Sequence, residues 1–104
     1  MMAVIVELSM WPMDKGESVS EYVGRCLEVI DASGLEYRLG PMGTCIEGEF
    51  DEVMGVVKAC FERMASDCDR VTASIKLDYR KGRTGRLTDK VARVEARVGR
   101  KLRT

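Results

Sequence analysis

The order of strand-like and helix-like segments in this 104-residue chain predicts an α+β fold: a four-stranded antiparallel sheet, two covering helices and one trailing helix. Three observations carry that reading. Residues 3–10 and 70–79 alternate in polarity with a period of two. Two intervening segments repeat apolar residues at helical spacing, and a Gly40-Pro41-Met42-Gly43 turn joins two short strand-like runs between them.

In the first segment, Val4, Val6, Leu8 and Met10 fall on one side, and Ile5, Glu7 and Ser9 on the other. Pro12 and Gly16 are expected to end this strand. Ser18-Val-Ser-Glu21 has the spacing of a capping box, and Val19, Val23, Cys26, Leu27 and Ile30 follow as a helical stripe. Gly34 stands where a C-terminal cap belongs. Leu35–Leu39 and Thr44–Glu49 then form a hairpin around the glycine-marked turn.

Phe50, Val53, Met54, Val57, Phe61 and Met64 predict a second amphipathic helix, with Asp51 and Glu52 in the first turn, where the helix dipole favours negative charge. In the last strand Val71, Ala73, Ile75, Leu77 and Tyr79 are expected to point inward, and Thr72, Ser74, Lys76 and Asp78 outward. A basic loop over residues 80–86 leads to an Arg-rich helix with a narrow stripe of Leu87, Val91, Val94, Val98 and Leu102. The order β-α-β-β-α-β is that of the split βαβ, or ferredoxin-like, sandwich, with residues 1–104 as one domain. The sheet face away from the two helices carries Ile5, Glu7, Ser9, Lys76 and Asp78, too mixed for a second core; sheet-to-sheet packing between subunits would cover it.

Composition narrows the function. The chain has no histidine, which removes the commonest general base and the usual triads. Cys26, Cys45, Cys60 and Cys68 are irregularly spaced with no C-x-x-C, and read as small, mostly buried thiols. No apolar run approaches the roughly 18 residues of a membrane helix, and the first residues lack the pattern of a signal peptide, so a cytoplasmic location is expected. Net charge is zero but unevenly placed: residues 80–104 hold ten Lys/Arg and two acids, the rest seven Lys/Arg and fifteen acids.

Two stretches carry a resemblance. The hairpin Gly40-Pro-Met-Gly-Thr44-Cys-Ile-Glu47-Gly and the strand Ile75-Lys-Leu-Asp-Tyr-Arg80, at their separation, resemble the small thiamine-binding-protein family of the YkoF-like domain type. The resemblance implies a ferredoxin-like fold, assembly through sheets into dimers and tetramers, and binding of thiamine or its hydroxymethylpyrimidine half. It implies no catalytic residues, and no cofactor is expected.

Thiamine needs an apolar slot for its rings and a few fixed polar groups. Thr44 and Ser9 can bond pyrimidine nitrogens, and Glu47 or Glu7 can accept from the amino group. Gly43 permits close backbone approach, Met42 and Trp11 can wall the slot, and Tyr37 can offer a hydroxyl. Each has a plainer alternative: Thr44 as a β-former, Met42 and Gly43 as turn residues at a subunit contact, Glu7 paired with Lys76, Trp11 at a rim or interface, and Tyr37 as an ordinary strand residue. Asp78 and Arg80 share a face and suit either a surface ion pair or the ordering of the basic loop against another subunit.

Rival functions are a structural or regulatory oligomer without thiamine affinity, and nucleic-acid binding through the basic tail. The tail lacks aromatics for base stacking after Tyr79 and reads more simply as a solvated face meeting another subunit's acidic body, or as an anion site. Glu47 and Glu49 share a strand face about 7 Å apart, but no nucleophile, metal motif or phosphate loop lies near them, so an enzyme is not expected.

Overall fold

The computed structural model describes residues 2–17 and 19–104. Ser18 of the expected capping box lies outside the described residues. The elements are β1 (Ala3–Pro12), α1 (Ser20–Ala32), β2 (Glu36–Leu39), β3 (Thr44–Glu49), α2 (Phe50–Ala65), β4 (Val71–Tyr79) and α3 (Arg86–Val98). The four strands form one antiparallel sheet in the order β2-β3-β1-β4. That is the α+β, ferredoxin-like arrangement the periodicities predict.

The core lies between one sheet face and the pair α1 and α2. Val4, Val6, Leu8 and Met10 are buried there, with Ile46 from β3 and Cys26 and Ile30 from α1. Gly34 takes a φ of +76° just past α1, as a helix-ending glycine should. Arg63 of α2 reaches Glu28 of α1 at 2.8 Å, and Arg25 of α1 reaches Asp67 in the turn after α2 at 2.6 Å, tying the helix pair together at its exposed edges.

Four expectations are corrected. In α2 the buried set is Val53, Val56, Val57, Cys60 and Met64, whereas Phe50 and Phe61 remain exposed. Apolar residues occupy neighbouring stripes of this helix, so its pattern leaves the phase ambiguous and tertiary packing sets it.

The supposedly inward row of β4 is not covered. Ala73, Ile75, Leu77 and Tyr79 do share a face with Met10, Leu8, Val6 and Val4, their cross-strand partners. Yet β4 is an edge strand that α2 touches only slightly, and Ile75, Leu77 and Tyr79 are 46%, 42% and 43% exposed.

The opposite sheet face is crossed by this chain's own α3, which lies against β3 and β2, where another subunit's sheet was expected. Finally, Asp78 pairs with Arg86 instead of Arg80, so the basic loop is ordered from within the chain.

β1 also runs two residues further than expected, through Trp11 and Pro12. Its pairing with β3 stops at Leu8–Thr44, and beyond that point β1 is bonded to β4 alone. A proline is tolerated there because the strand has become an edge on that side. All four cysteines are free; Cys26, Cys60 and Cys68 are buried and Cys45 half-buried. The Cys60 thiol donates to the Cys26 carbonyl at 3.6 Å.

Candidate binding site

The early end of the β1–β3 ladder creates the site. Past Leu8 the place beside β1 is vacant of strand, and the β2–β3 turn and α1 stand around the gap. A cavity of about 350 Å³ results, within the range of small-ligand pockets. Val19, Val23, Leu27 and Ile30 of the α1 segment form one wall, and Leu8, Met10 and Leu39 line the sheet side. Ser9, Trp11, Met42, Gly43 and Thr44 complete the lining, so five of the eight candidate residues converge on one pocket.

The turn holds its shape through glycine. Gly40 N–H donates to the Gly43 carbonyl at 2.9 Å, and a Cβ on Gly40 would meet that same oxygen at 2.9 Å. Any side chain at position 40 therefore pushes the turn open. Met42 projects from it, 86% exposed, as a flexible flap over an apolar cavity.

Thr44 is buried at the pocket wall, in the row Leu8–Thr44–Leu39 on the helix-facing side of the sheet. No fully buried side-chain nitrogen or oxygen lacks a hydrogen-bond partner among the described residues. The Thr44 hydroxyl, which bonds no side chain or backbone group among them, therefore keeps access to the cavity. Ser9, the next β1 residue, borders the cavity and is half-buried, but strand alternation turns its side chain to the opposite sheet face from Thr44. The Thr44 hydroxyl is thus a donor–acceptor group in an otherwise greasy slot.

The other three candidates lie elsewhere. Glu7 is on the far side of the sheet, but its stem leans toward the turn: a Cβ on Gly43 would lie 3.4 Å from Glu7 Cγ. Glu7 faces Lys76 directly across the β1–β4 ladder, without an ion pair among the described residues. Tyr37 donates its hydroxyl to Asp31 Oδ1 at 2.8 Å, which raises the phenol's pKa and fastens β2 to the end of α1.

Glu47 is nearly buried, and both of its oxygens are occupied. Oε2 accepts the Arg86 backbone N–H at 2.8 Å and Oε1 accepts that of Leu87 at 3.2 Å. It thus satisfies the open first turn of α3, which follows Gly85 at a φ of +67°.

Sequence reasoning missed this role because the partners are about forty residues apart with no local capping pattern. The one available signal was an acid on a mixed face, followed much later by a glycine-led helix without its own Ser, Thr, Asp or Asn cap. No group of three or more His, Cys, Asp or Glu side chains converges as a metal centre would require, among the described residues. Nor is any helix long and apolar enough to cross a membrane.

Fold and pocket together define a small ferredoxin-like domain with a lipped, apolar, hydroxyl-bearing cavity at the end of its sheet. The model of the thiamine-binding protein family matches residues 6–95, and the chain belongs to that family. Among its relatives, the UPF0045 protein Mb1933 of Mycobacterium bovis is 43% identical over 95 residues, covering 90% of this chain and 93% of the relative. The UPF0045 protein MJ1052 of Methanocaldococcus jannaschii is 36% identical over 91 residues, covering 88% and 91%.

The crystal structure of MJ1052 superposes with a TM-score of 0.84 at 35% identity, covering 90% of this chain and 97% of that one. A Thermotoga maritima structure, described as a putative thiamine biosynthesis/salvage protein, gives a TM-score of 0.79 at 28% identity, covering 88% and 98%.

Proposed function

We propose that the protein is a non-catalytic, cytoplasmic binder of thiamine or its hydroxymethylpyrimidine moiety, working as a carrier, store or sensor in one domain over residues 1–104. The observation that carries this reading is the convergence of Ser9, Trp11, Met42, Gly43 and Thr44 on a single cavity of about 350 Å³. Membership of the thiamine-binding protein family supports the same ligand class. The flat pyrimidine lies between the α1 wall and the turn. A ring nitrogen bonds the Thr44 hydroxyl, Met42 closes over the ring, and Trp11 forms the rim. Glu7, beside Gly43, is the carboxylate nearest to the turn available to an amino or cationic group.

The reading includes self-association. β4 has one edge unpaired within the chain, flanked by the exposed row Ile75, Leu77 and Tyr79. A two-fold axis through Leu77 stacks the two leucines of the paired edge strands. A tetramer then follows from the association of two such dimers.

Trp11 is the chain's single tryptophan and lines the cavity, so its fluorescence reports occupancy. Titration with thiamine and with hydroxymethylpyrimidine is expected to change the emission saturably for at least one of them. An emission unaffected by both, with no heat of binding, would leave the family's fold without this ligand in this chain.

A further inference from the structure

A second concavity lies on the other side of the sheet, between α3 and the outer faces of β1 and β4. Its volume is about 840 Å³, enough for a nucleotide-sized molecule. Seven Lys or Arg residues line it against three acids, Glu7, Asp78 and Asp89. Two of the acids are already engaged. Asp89 holds Arg83 at 3.0 Å and Arg93 at 3.1 Å, and Asp78 holds Arg86. Lys76, Arg80, Lys90 and Arg97 make no ion pair among the described residues. The floor carries Ile5 and Cys45, both half-buried.

Glu7, opposite Lys76 in the β1–β4 ladder, is the one lining acid left to offset these four cations, so a net positive excess remains, and a cleft focuses its field. Solvated cations of a plain helix face would spread outward; these are gathered from a strand, a loop and one side of α3 around a common space. Lys76 of β4 and Lys90 of α3 are both near enough to Asp78 to favour its ionised form. A multiply charged anion resolves the excess, and the guanidinium forks suit phosphoryl oxygens. The half-apolar floor adds room for an uncharged body beside the charge.

We propose that this groove is a second ligand site, taking a small phosphorylated organic molecule whose phosphoryl oxygens are held by Lys76, Arg80, Lys90 and Arg97, and whose body lies over Ile5 and Cys45. The site lies across the sheet from the pocket of Thr44, only Glu7 stands near both, and none of the four cations is used in the thiamine reading. A nucleic acid fits less well, because no aromatic side chain lines the groove to stack a base.

The test is calorimetric titration of the full chain with inorganic pyrophosphate, with a single-stranded oligonucleotide as comparator. The variants are Lys90→Ala/Arg97→Ala in the groove and Lys101→Ala/Arg103→Ala outside it; all four positions are exposed, so folding is retained. Saturable pyrophosphate binding, weakened at least about tenfold by the groove variant and unchanged by the outer one, is the expected result. Failure to saturate, or equal weakening by both variants, would overturn the proposal. So would an oligonucleotide that binds tighter than pyrophosphate and displaces it, since the groove would then be a nucleic-acid surface.

Discussion

Glu47 Oε2 accepts the backbone N–H of Arg86 at 2.8 Å, so a strand in the middle of the sheet caps a helix that begins about forty residues later. The carboxylate supplies both an acceptor for orphan N–H groups and a negative charge at the positive end of α3. α3 buries no residue completely, so this contact and the Arg86–Asp78 pair are its main polar anchors to the sheet.

Glu47→Ala is therefore expected to cost about 1–2 kcal/mol, the range of a lost helix cap. Hydrogen exchange should localise the effect, with amides 86–90 losing protection before those of β1 or α2. Glu47→Gln keeps an acceptor and should lose less. Equal protection of α3 in all three proteins would remove Glu47 from this role.

Acid should loosen the anchor of α3 and two loop contacts elsewhere. Arg86 holds the Asp78 carboxyl below its ordinary value of 3.8, Asp69 N–H does the same for Asp14, and Arg25 for Asp67. A depressed folded-state pKa contributes stability that is complete above the unfolded value and lost as pH falls through the folded one. Urea midpoints should thus be flat between about pH 5 and 7 and decline below about pH 4. Asp78→Asn is expected to flatten part of that decline.

Much of the architecture was legible because local chemistry and final packing agree. Val4, Val6, Leu8 and Met10 alternate and are buried as a row; Gly34 ends α1 at positive φ; Thr44–Glu49 begins and ends as its flanking glycine turn and Asp51-Glu52 pair imply. What was not legible depends on distance. Alternation in β4 identifies which side chains share a face, but only the strand order reveals that the helices barely reach it. The same limit applies to the site. Thr44, Gly43 and Met42 were readable from the turn, whereas the separation of Glu47 from Thr44 by the thickness of the sheet follows from register.

The exposed β4 row leads to a prediction on assembly. Leu77→Asp puts a charge at the centre of the proposed two-fold contact, at a position 42% exposed on the edge strand. Sedimentation should show the wild-type chain as an oligomer and Leu77→Asp shifted to a smaller species, with the thermal midpoint of the monomer fold little changed. A wild-type monomer, or an unaltered oligomer in the variant, would count against pairing through β4.

The turn offers a prediction that couples fold to pocket. Gly40→Ala forces a Cβ to within 2.9 Å of the Gly43 carbonyl, breaking the bond that closes the turn. The expected loss is about 1–3 kcal/mol of stability. Ligand affinity should fall with it, because Met42 and Gly43 move together with Thr44. Met42→Ala, at an exposed position, should weaken binding with stability intact.

The claim at the centre of this account is that Thr44 presents its hydroxyl to a pyrimidine in the pocket between α1 and the β2–β3 turn. Calorimetric titration of thiamine into the wild-type chain and into Thr44→Val tests it most directly. Saturable binding to the wild type and a loss of about 1–3 kcal/mol in the near-isosteric variant, from the polar ligand group left unpaired, are expected. Equal affinity in the two proteins, or no heat from either, would contradict it.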